Sequence, residues 1–510
     1  MNKSVPNQIG ALLFYSLVFV YYSIELNRIY MKKFLSILGI GLLVILTIVL
    51  VKTFTNSPGA HQKSTPLEAI PTNAIAHMSE AIQLQTETPN DAYEFDTATF
   101  FAYRKFMERS YPLIHKNLPR TIIDSFNYIY EWKGTDTSLL PMVLMAHYDV
   151  VPVEASAVKL WHAVPYGGEV KEGYIWGRGV LDDKSSMIGI LEAAETQLAK
   201  GFQPKQTILL CFGADEESSG KGATAMVKYF KSLNKRFDLV VDEGGEISTE
   251  DMKDVKRPIA SIGVGEKGYV TLILTAQKEG GHSSIPGQTT VIDMLSKGLY
   301  KLRENQMPGK IIPPIKAYLE RVSGYTDNFW KKMMLSNMWL FETQVINNLS
   351  EAPSTNALVR TTIVPTIMNS GVRDNVIPTF ATAYVNSRIL PGETQQDVYN
   401  YVEKAINDTN IKITYYRNYS TMPSPTTDIN SKAFKRVEQA INAIVDDVIV
   451  APMLMVGATD SRNYREISDG VINFTPITNA KGYHGIDERL LVTDFQKCIS
   501  FYTLLIQGSK

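Results

Sequence analysis

Cysteine is nearly missing from this 510-residue chain, with Cys211 and Cys498 the only two. That excludes a disulfide framework and any zinc site built from thiolates. An excess of basic charge is missing too: 51 Lys and Arg stand against 52 Asp and Glu, a formal net charge of −1. A general nucleic-acid binder needs a basic surplus or stripe, so nucleic acid is excluded as a partner class. The sequence shows no internal repeat and no low-complexity tract, and its length calls for two or more domains. Histidine is scarce, at seven residues, so each one can be weighed separately. What is present, 45% apolar and 20% charged residues, is the composition of a folded protein.

The N-terminus stands apart. Phe34–Val51 is an apolar run of 18 residues without a charge, close to the length that crosses a hydrocarbon core of about 30 Å as a helix. Arg28, Lys32 and Lys33 precede it and only Lys52 follows closely. The distribution predicts a transmembrane anchor with a cytoplasmic N-terminus and everything after it on the non-cytoplasmic side, periplasmic or extracellular. A cleaved signal peptide is the rival reading, because MKKFLSILG has a basic start followed by an apolar stretch; no small-x-small cleavage site follows. Residues 1–33 form an extension in which Ile9–Ile24 is a marginal second membrane segment, unless translation begins at Met31. Residues 52–65 read as a polar linker.

From residue 66 the pattern is α/β. Strand-like runs at Pro141–Ala146, Thr207–Phe212 and Asp238–Gly245 alternate with helical patterns such as Ser185–Lys200 and Gly222–Leu233, which argues for a mostly parallel sheet covered on both faces. Near Glu266 the rhythm changes to the β-α-β-β-α-β order of a ferredoxin-like unit. A long insertion at 307–356, with its own helical pattern around KKMMLSNMWLFETQVI, follows the first helix of that unit. The parse is a catalytic domain in two parts, 66–265 and 419–510, split by an inserted α+β lid domain at 266–418. Both cysteines fall in predicted elements and read as buried free thiols.

Ligands of such sheets bind beyond the carboxyl ends of the strands, so the polar residues after each apolar run deserve reading for chemistry. In MAHYDVVP, His147 and Asp149 lie on one side of the pleat, where the carboxylate can orient the imidazole. WGRGVLDDKSS brings Asp182 and Asp183 to the start of a helix, where acids also serve as caps. In GADEESSG, Asp215, Glu216 and Glu217 end a strand; clustered carboxylates raise one another's pKa unless a cation is near. VVDEGG adds Asp242 and Glu243, GGHSS adds His282, and GYHG adds His484. His61, His77, His115 and His162 have no such context and read as structural. Alone, the His147–Asp149 motif is as readily a surface turn and Asp182–Asp183 a solvated cap, whereas a buried strand that ends in three acids is costly without a cation. Together, His147, Asp182, Glu217, Asp242 and His484 make a hard, thiolate-free donor set suited to zinc, with Mn2+ or Co2+ as substitutes. Five ligands exceed what one tetrahedral ion needs, and a pair of ions roughly 3.5–4 Å apart would use them all.

The order and spacing of these six motifs resembles the di-zinc aminoacylase/carboxypeptidase family, which includes glutamate carboxypeptidase, carnosinase and succinyl-diaminopimelate desuccinylase. The likeness runs from about residue 66 to the end. LSNMWLF, TNALVRTT, NVIPTFATAYVNSRILPGET, and GATDSR followed by HGIDE resemble its carboxypeptidase S and N-fatty-acyl-amino-acid synthase/hydrolase branch. The resemblance implies two Zn2+, one on His147 and Asp242, the other on Glu217 and His484, bridged by Asp182. It implies Asp149 as the group orienting His147, Glu216 as general base and acid, and an Asp182–Asp183 bond that is often cis. It assigns His282 to the oxyanion, supplied in dimeric members to the partner's site, so a homodimer through the lid is expected. Arg388, Asn356, Gly457 and Thr459 become contacts for a substrate carboxylate. Several members carry glutamate where Asp242 stands. The expected reaction is metal-assisted amide hydrolysis. It would release a free amino acid from small peptides or N-acyl amino acids, or act reversibly on fatty-acyl amides. A tethered binding protein without catalysis is the reading from another class, and the presence of every ligand and the base argues against it.

Overall fold

The computed structural model describes residues 8–59, 62–88, 96–218, 220–250, 252–417 and 420–508; His61 lies outside them. The first element is a single helix, α1 (Gln8–Thr55), of 48 residues. At 1.5 Å per residue it is roughly 70 Å long, more than twice a bilayer core. The sequence suggested two apolar segments and a linker from residue 52; instead the helix runs unbroken through Glu25, Arg28, Lys32 and Lys33 and takes in residues 52–55. Nothing in that stretch breaks a helix until Pro58, which disfavours helical backbone in the residue before it.

The main sheet has eight strands: β1 (Arg120–Ile123), β2 (Asn127–Trp132), β3 (Met142–His147), β4 (Ile208–Gly213), β5 (Leu239–Ser248), β6 (Ile259–Glu266), β13 (Ile449–Met455) and β14 (Val471–Thr478), in the order β1-β2-β4-β3-β5-β14-β6-β13. The inner pairs β3–β4, β3–β5 and β5–β14 are parallel, as is β6–β13, while β1–β2, β2–β4 and β6–β14 are antiparallel. β3 and β4 are buried along their whole length, as expected for strands covered on both faces. Helices α2 (Lys184–Ala199) and α8 (Val492–Gln507) pack together on one face. A Cβ at Gly189 would sit 3.2 Å from the Tyr502 ring, so glycine permits their close approach.

The second sheet follows the split order read from the sequence: β7 (Gly268–Gln277), α3 (Val291–Glu304), β9 (Thr362–Ser370), β11 (Phe380–Ile389), α7 (Gln395–Ile406) and β12 (Ile411–Tyr415), all antiparallel in the order β9-β11-β7-β12. Thr290 and Thr394 cap α3 and α7 with reciprocal Asp293 and Asp397 capping boxes. A two-residue bridge, β8 (Gly281–His282) with β10 (Val376–Ile377), extends from this unit. Between α3 and β9, the helical pattern of the insertion forms α4 (Phe329–Ser336) and α5 (Met338–Leu349), broken at Asn337, and α6 (Pro353–Val359) follows before β9. The insertion packs through Ile315, Leu319 and Val322 against the edge strand β13, contacting Ile449, Ala451 and Leu454. It therefore covers a sheet edge that would otherwise be open to pairing.

Leu210, fully buried at the centre of β4, tests how far the site-bearing sheet depends on its core. Leu210→Ala is expected to lower stability by about 2–5 kcal/mol, measured as a reduced urea midpoint of the detergent-solubilised chain.

Candidate metal centre

The parallel strands β3 and β4 end side by side, with His147 paired to Gly213 in register, while the pairing of β5 with β3 stops at Val241, just before Asp242 and Glu243. His147 closes β3, the Asp215–Glu217 turn follows β4, and Asp242 and Glu243 lie within β5. Asp182 comes from the loop ahead of α2, and His484 from the loop between β14 and α8, at φ 53°. Asp182, Glu216, Glu217, Glu243 and His484 line one cleft together with Gly244, Met455, Thr459 and Tyr483, and His147 sits against Asp182 and Glu243.

Two triads share Asp182. His147 Nε2 lies 3.0 Å from Asp182 Oδ1 and 3.2 Å from Glu243 Oε1. His484 Nε2 lies 3.0 Å from Asp182 Oδ2 and 3.1 Å from Glu217 Oε1. Within each triad the donor atoms fall within 4.8 Å of one another. The structure thus brings together His147, Asp182, Glu217 and His484 as the motifs suggested, and it replaces Asp242 with Glu243. Successive strand residues point to opposite faces, so only one of this pair can look into the cleft. Asp242 instead accepts a hydrogen bond from the Ser461 N–H at 3.0 Å and is buried.

Asp149 is fully buried and does more than face the His147 ring at 3.4 Å. It accepts from the backbone N–H groups of Glu216 and Glu217, at 3.2 and 3.0 Å, and from the Thr88 hydroxyl. One carboxylate therefore fixes both the imidazole and the acidic turn. Glu488, which the motifs did not single out, performs the matching task for Asp182. It pairs with Arg178 at 2.6 Å and accepts from the N–H groups of Gly179, Leu181 and Asp182. The peptide bond Asp182–Asp183 is cis.

The electrostatics are those of crowded acids. Burial raises Glu216 well above the usual carboxylate range, with Asp460, Asp182 and Glu217 adding to it against the pull of His147. Glu243 rises by burial and then by proximity to Asp182. Burial also works against charge on Asp182, yet hydrogen bonds from His147 and His484 hold it well below its ordinary value. Hydrogen bonds to Asp182 and Glu217 lift His484 to about 10. Against its own burial, His147 is raised by Glu243 and by bonds to Asp149 and Asp182. The cleft thus favours positive charge, and two imidazole–carboxylate triads with a shared carboxylate fit a pair of divalent cations.

The remaining nominated residues lie outside the two triads. Arg388, on β11, rests over the Tyr269 ring at 5.1 Å and makes no ion pair among the described residues. Lys267 donates to the carbonyls of Ala357 and Arg360 at the end of α6, the helix that carries Asn356, and its own N–H donates to Met455 O at the cleft wall. Burial, then the Arg388 charge, lowers Lys267 to about 7. Gly457 is exposed, and the Thr459 N–H donates to the buried Glu266. His282 is exposed on the β8 bridge, its Nδ1 2.7 Å from Ser284 Oγ, and does not line the cleft. His77 and His115 are tied to Glu192 and Tyr130, as structural histidines would be, and both cysteines are buried and free.

The sheet and the shared-carboxylate cleft define a metal-dependent hydrolase. The chain belongs to peptidase family M20/M25/M40, whose model matches residues 143–508. It is 34% identical over 442 residues to a probable carboxypeptidase S-like 2 of Dictyostelium discoideum, covering 85% of this chain and 84% of the relative. To an N-fatty-acyl-amino acid synthase/hydrolase of Xenopus tropicalis it is 32% identical over 485 residues, covering 92% and 94%. In fold it resembles the M20 family metallo-carboxypeptidase Sso-CP2 from Sulfolobus solfataricus, with a TM-score of 0.60 at 16% identity and 86% and 99% coverage.

If Glu243 rather than Asp242 holds a cation, Glu243→Ala should bind one fewer divalent ion per chain, whereas Asp242→Asn should keep the full complement. Metal content of the purified variants by plasma mass spectrometry decides this; equal loss in both would overturn the assignment.

Proposed function

We propose that the chain hydrolyses the amide bond of small peptides or N-acyl amino acids that carry a free carboxylate, releasing the amino acid. The observation that carries this reading is the pair of imidazole–carboxylate triads sharing Asp182, with Glu216 beside them in neither triad. His147 and Glu243 would hold one Zn2+, Glu217 and His484 the other, and Asp182 both. Bound divalent cations lower the pKa of nearby water and polarise a carbonyl. Glu216 removes a proton from the attacking water as its oxygen bonds to the amide carbon, then delivers that proton to the nitrogen as the C–N bond breaks. Its place in the cleft beside both triads suits a group that must both take and give a proton. Arg388, with no carboxylate partner among the described residues, would hold the substrate carboxylate bidentately, with Asn356 and the Gly457–Thr459 loop beside it.

A long acyl substrate is the second reading. The insertion's apolar cluster runs through Leu335, Met338 and Val345 to Leu454, next to Met455 of the cleft wall, so an acyl chain leaving the cleft would meet apolar surface. We further infer that α1 anchors the chain, with Arg28, Lys32 and Lys33 on the cytoplasmic side and the catalytic part opposite, and that His282 serves the cleft of a second copy.

Glu216→Gln is expected to lower kcat by about 100- to 10,000-fold while metal content stays unchanged. Full chelation should abolish hydrolysis of dipeptides, short-acyl and long-acyl amino acids alike; turnover that survives complete metal removal would sink the reading. Where the long-acyl substrates show the highest kcat/KM, the second reading stands. Mixing inactive Glu216→Gln with inactive His282→Ala should restore activity if each site is completed by a neighbouring copy. Mixtures as inactive as their components would show that His282 does not act across an interface.

A further inference from the structure

The last turns of α1 are not free. Val49 and Thr53 are buried, although nearly all of the helix before them is exposed. Asn337, the residue that separates α4 from α5, covers them: its amide donates to Val49 O at 3.2 Å and to Thr53 Oγ1 at 3.1 Å. Asn56, just past the helix, donates to Ser323 and Ser336 at 2.6 and 2.8 Å. Phe54 meets the Phe329 ring at 6.0 Å, and Lys52 Nζ lies 6.0 Å from the Trp339 ring. The helical insertion is thus clamped around the end of the apolar helix.

That contact fixes a level. The apolar run of α1 ends at Val51, so Val49 lies within it and Lys52 at its edge. Asn337 reaches both sides of that boundary. Beside it, α4 and α5 expose Phe329, Trp330, Trp339 and Leu340, with Trp330 at 67% and Trp339 at 53% exposure. Large aromatics left in water next to the end of a spanning helix, with lysines among them, are the side chains enriched where hydrocarbon meets headgroups. Such a patch on a soluble surface marks an interaction site. Its continuity with α1 selects the occupant.

We propose that the exposed aromatic face of α4 and α5 inserts into the outer boundary of the same bilayer that α1 spans, a second and peripheral membrane contact that sets how the catalytic cleft faces the lipid. The proposal rests on α1 being an anchor. It adds that the insertion itself enters lipid, so amides partitioned into that leaflet would lie beside the apolar cluster that leads to Met455.

The tryptophans allow a direct test on the full chain. Of five, Trp132, Trp161 and Trp176 are buried and only Trp330 and Trp339 are exposed. The chain is reconstituted in phosphatidylcholine/phosphatidylglycerol vesicles, with and without phospholipid brominated high on the acyl chain, and recovered by flotation. Brominated lipid should remove most of the emission that separates the native chain from Trp330→Phe/Trp339→Phe, and that component should be blue-shifted and inaccessible to iodide. Floating vesicles in which iodide, not brominated lipid, quenches this component overturn the proposal and leave the anchor intact. Protection from both quenchers, as a second copy covering the patch would give, also overturns it. A chain that does not float with the vesicles removes the anchor reading and the proposal together.

Discussion

Asp182 and its two imidazoles form the contact around which the protein is organised. Each oxygen of this carboxylate faces one ring nitrogen at 3.0 Å, and the rings come from residues 337 positions apart in the chain. Holding that arrangement requires His147 at a strand end, Asp182 ahead of a helix and His484 in a loop to arrive at one point. The parallel sheet supplies it by ending β3 and β4 together where the pairing of β3 with β5 stops, at Val241. Two further carboxylates, Glu217 and Glu243, then crowd the same space. Buried acids at these separations repel unless positive charge is present, so the geometry and the demand for cations are one constraint.

The loops that carry the donors are held by acids outside the triads. Asp149 ties the Glu216–Glu217 backbone to His147, and Glu488 ties the Gly179–Asp182 backbone to Arg178. Both are essentially buried, and removing one partner of a buried charged pair costs about 3–5 kcal/mol. The same interactions that stabilise the fold therefore position the chemistry, and Glu488 has no substrate-facing role to explain its burial.

Much of this was legible before any coordinates. Apolar runs followed by acids and histidines located the sheet and four of the five triad residues, and the change of rhythm at Glu266 located the split unit. Asp242 and Glu243 could not be separated, because motif order says which dipeptide is present and strand orientation decides which member turns inward. Glu488 ends the HGIDE segment, but nothing local there shows its task, which arises from the Gly179–Asp182 backbone some 300 residues away. The continuous α1 was missed for a related reason: charges at 25–33 resemble a boundary between membrane segments, but none of them breaks a helix. Asn337 splits the insertion because its side-chain amide bonds to Met333, Val49 and Thr53, partners that lie mostly outside its own segment.

The insertion is the element that gives these parts a common orientation. One end grips the apolar helix through Asn337 and Phe329, and the other packs Ile315 and Leu319 onto β13, whose final residue Met455 lines the cleft. A tether alone would leave a catalytic domain free to turn about residues 56–65. Asn56 bonds to the insertion, Ser64 to Asp446 and Thr65 to Ala443, so this segment is fastened at both ends and that freedom is reduced. The distance from α1 to the cleft is bridged by packed and hydrogen-bonded side chains of the insertion, not by a flexible chain. The long segment that separates α3 from β9 is therefore structural in the direction that matters for function: it fixes where the cleft sits relative to the end of α1.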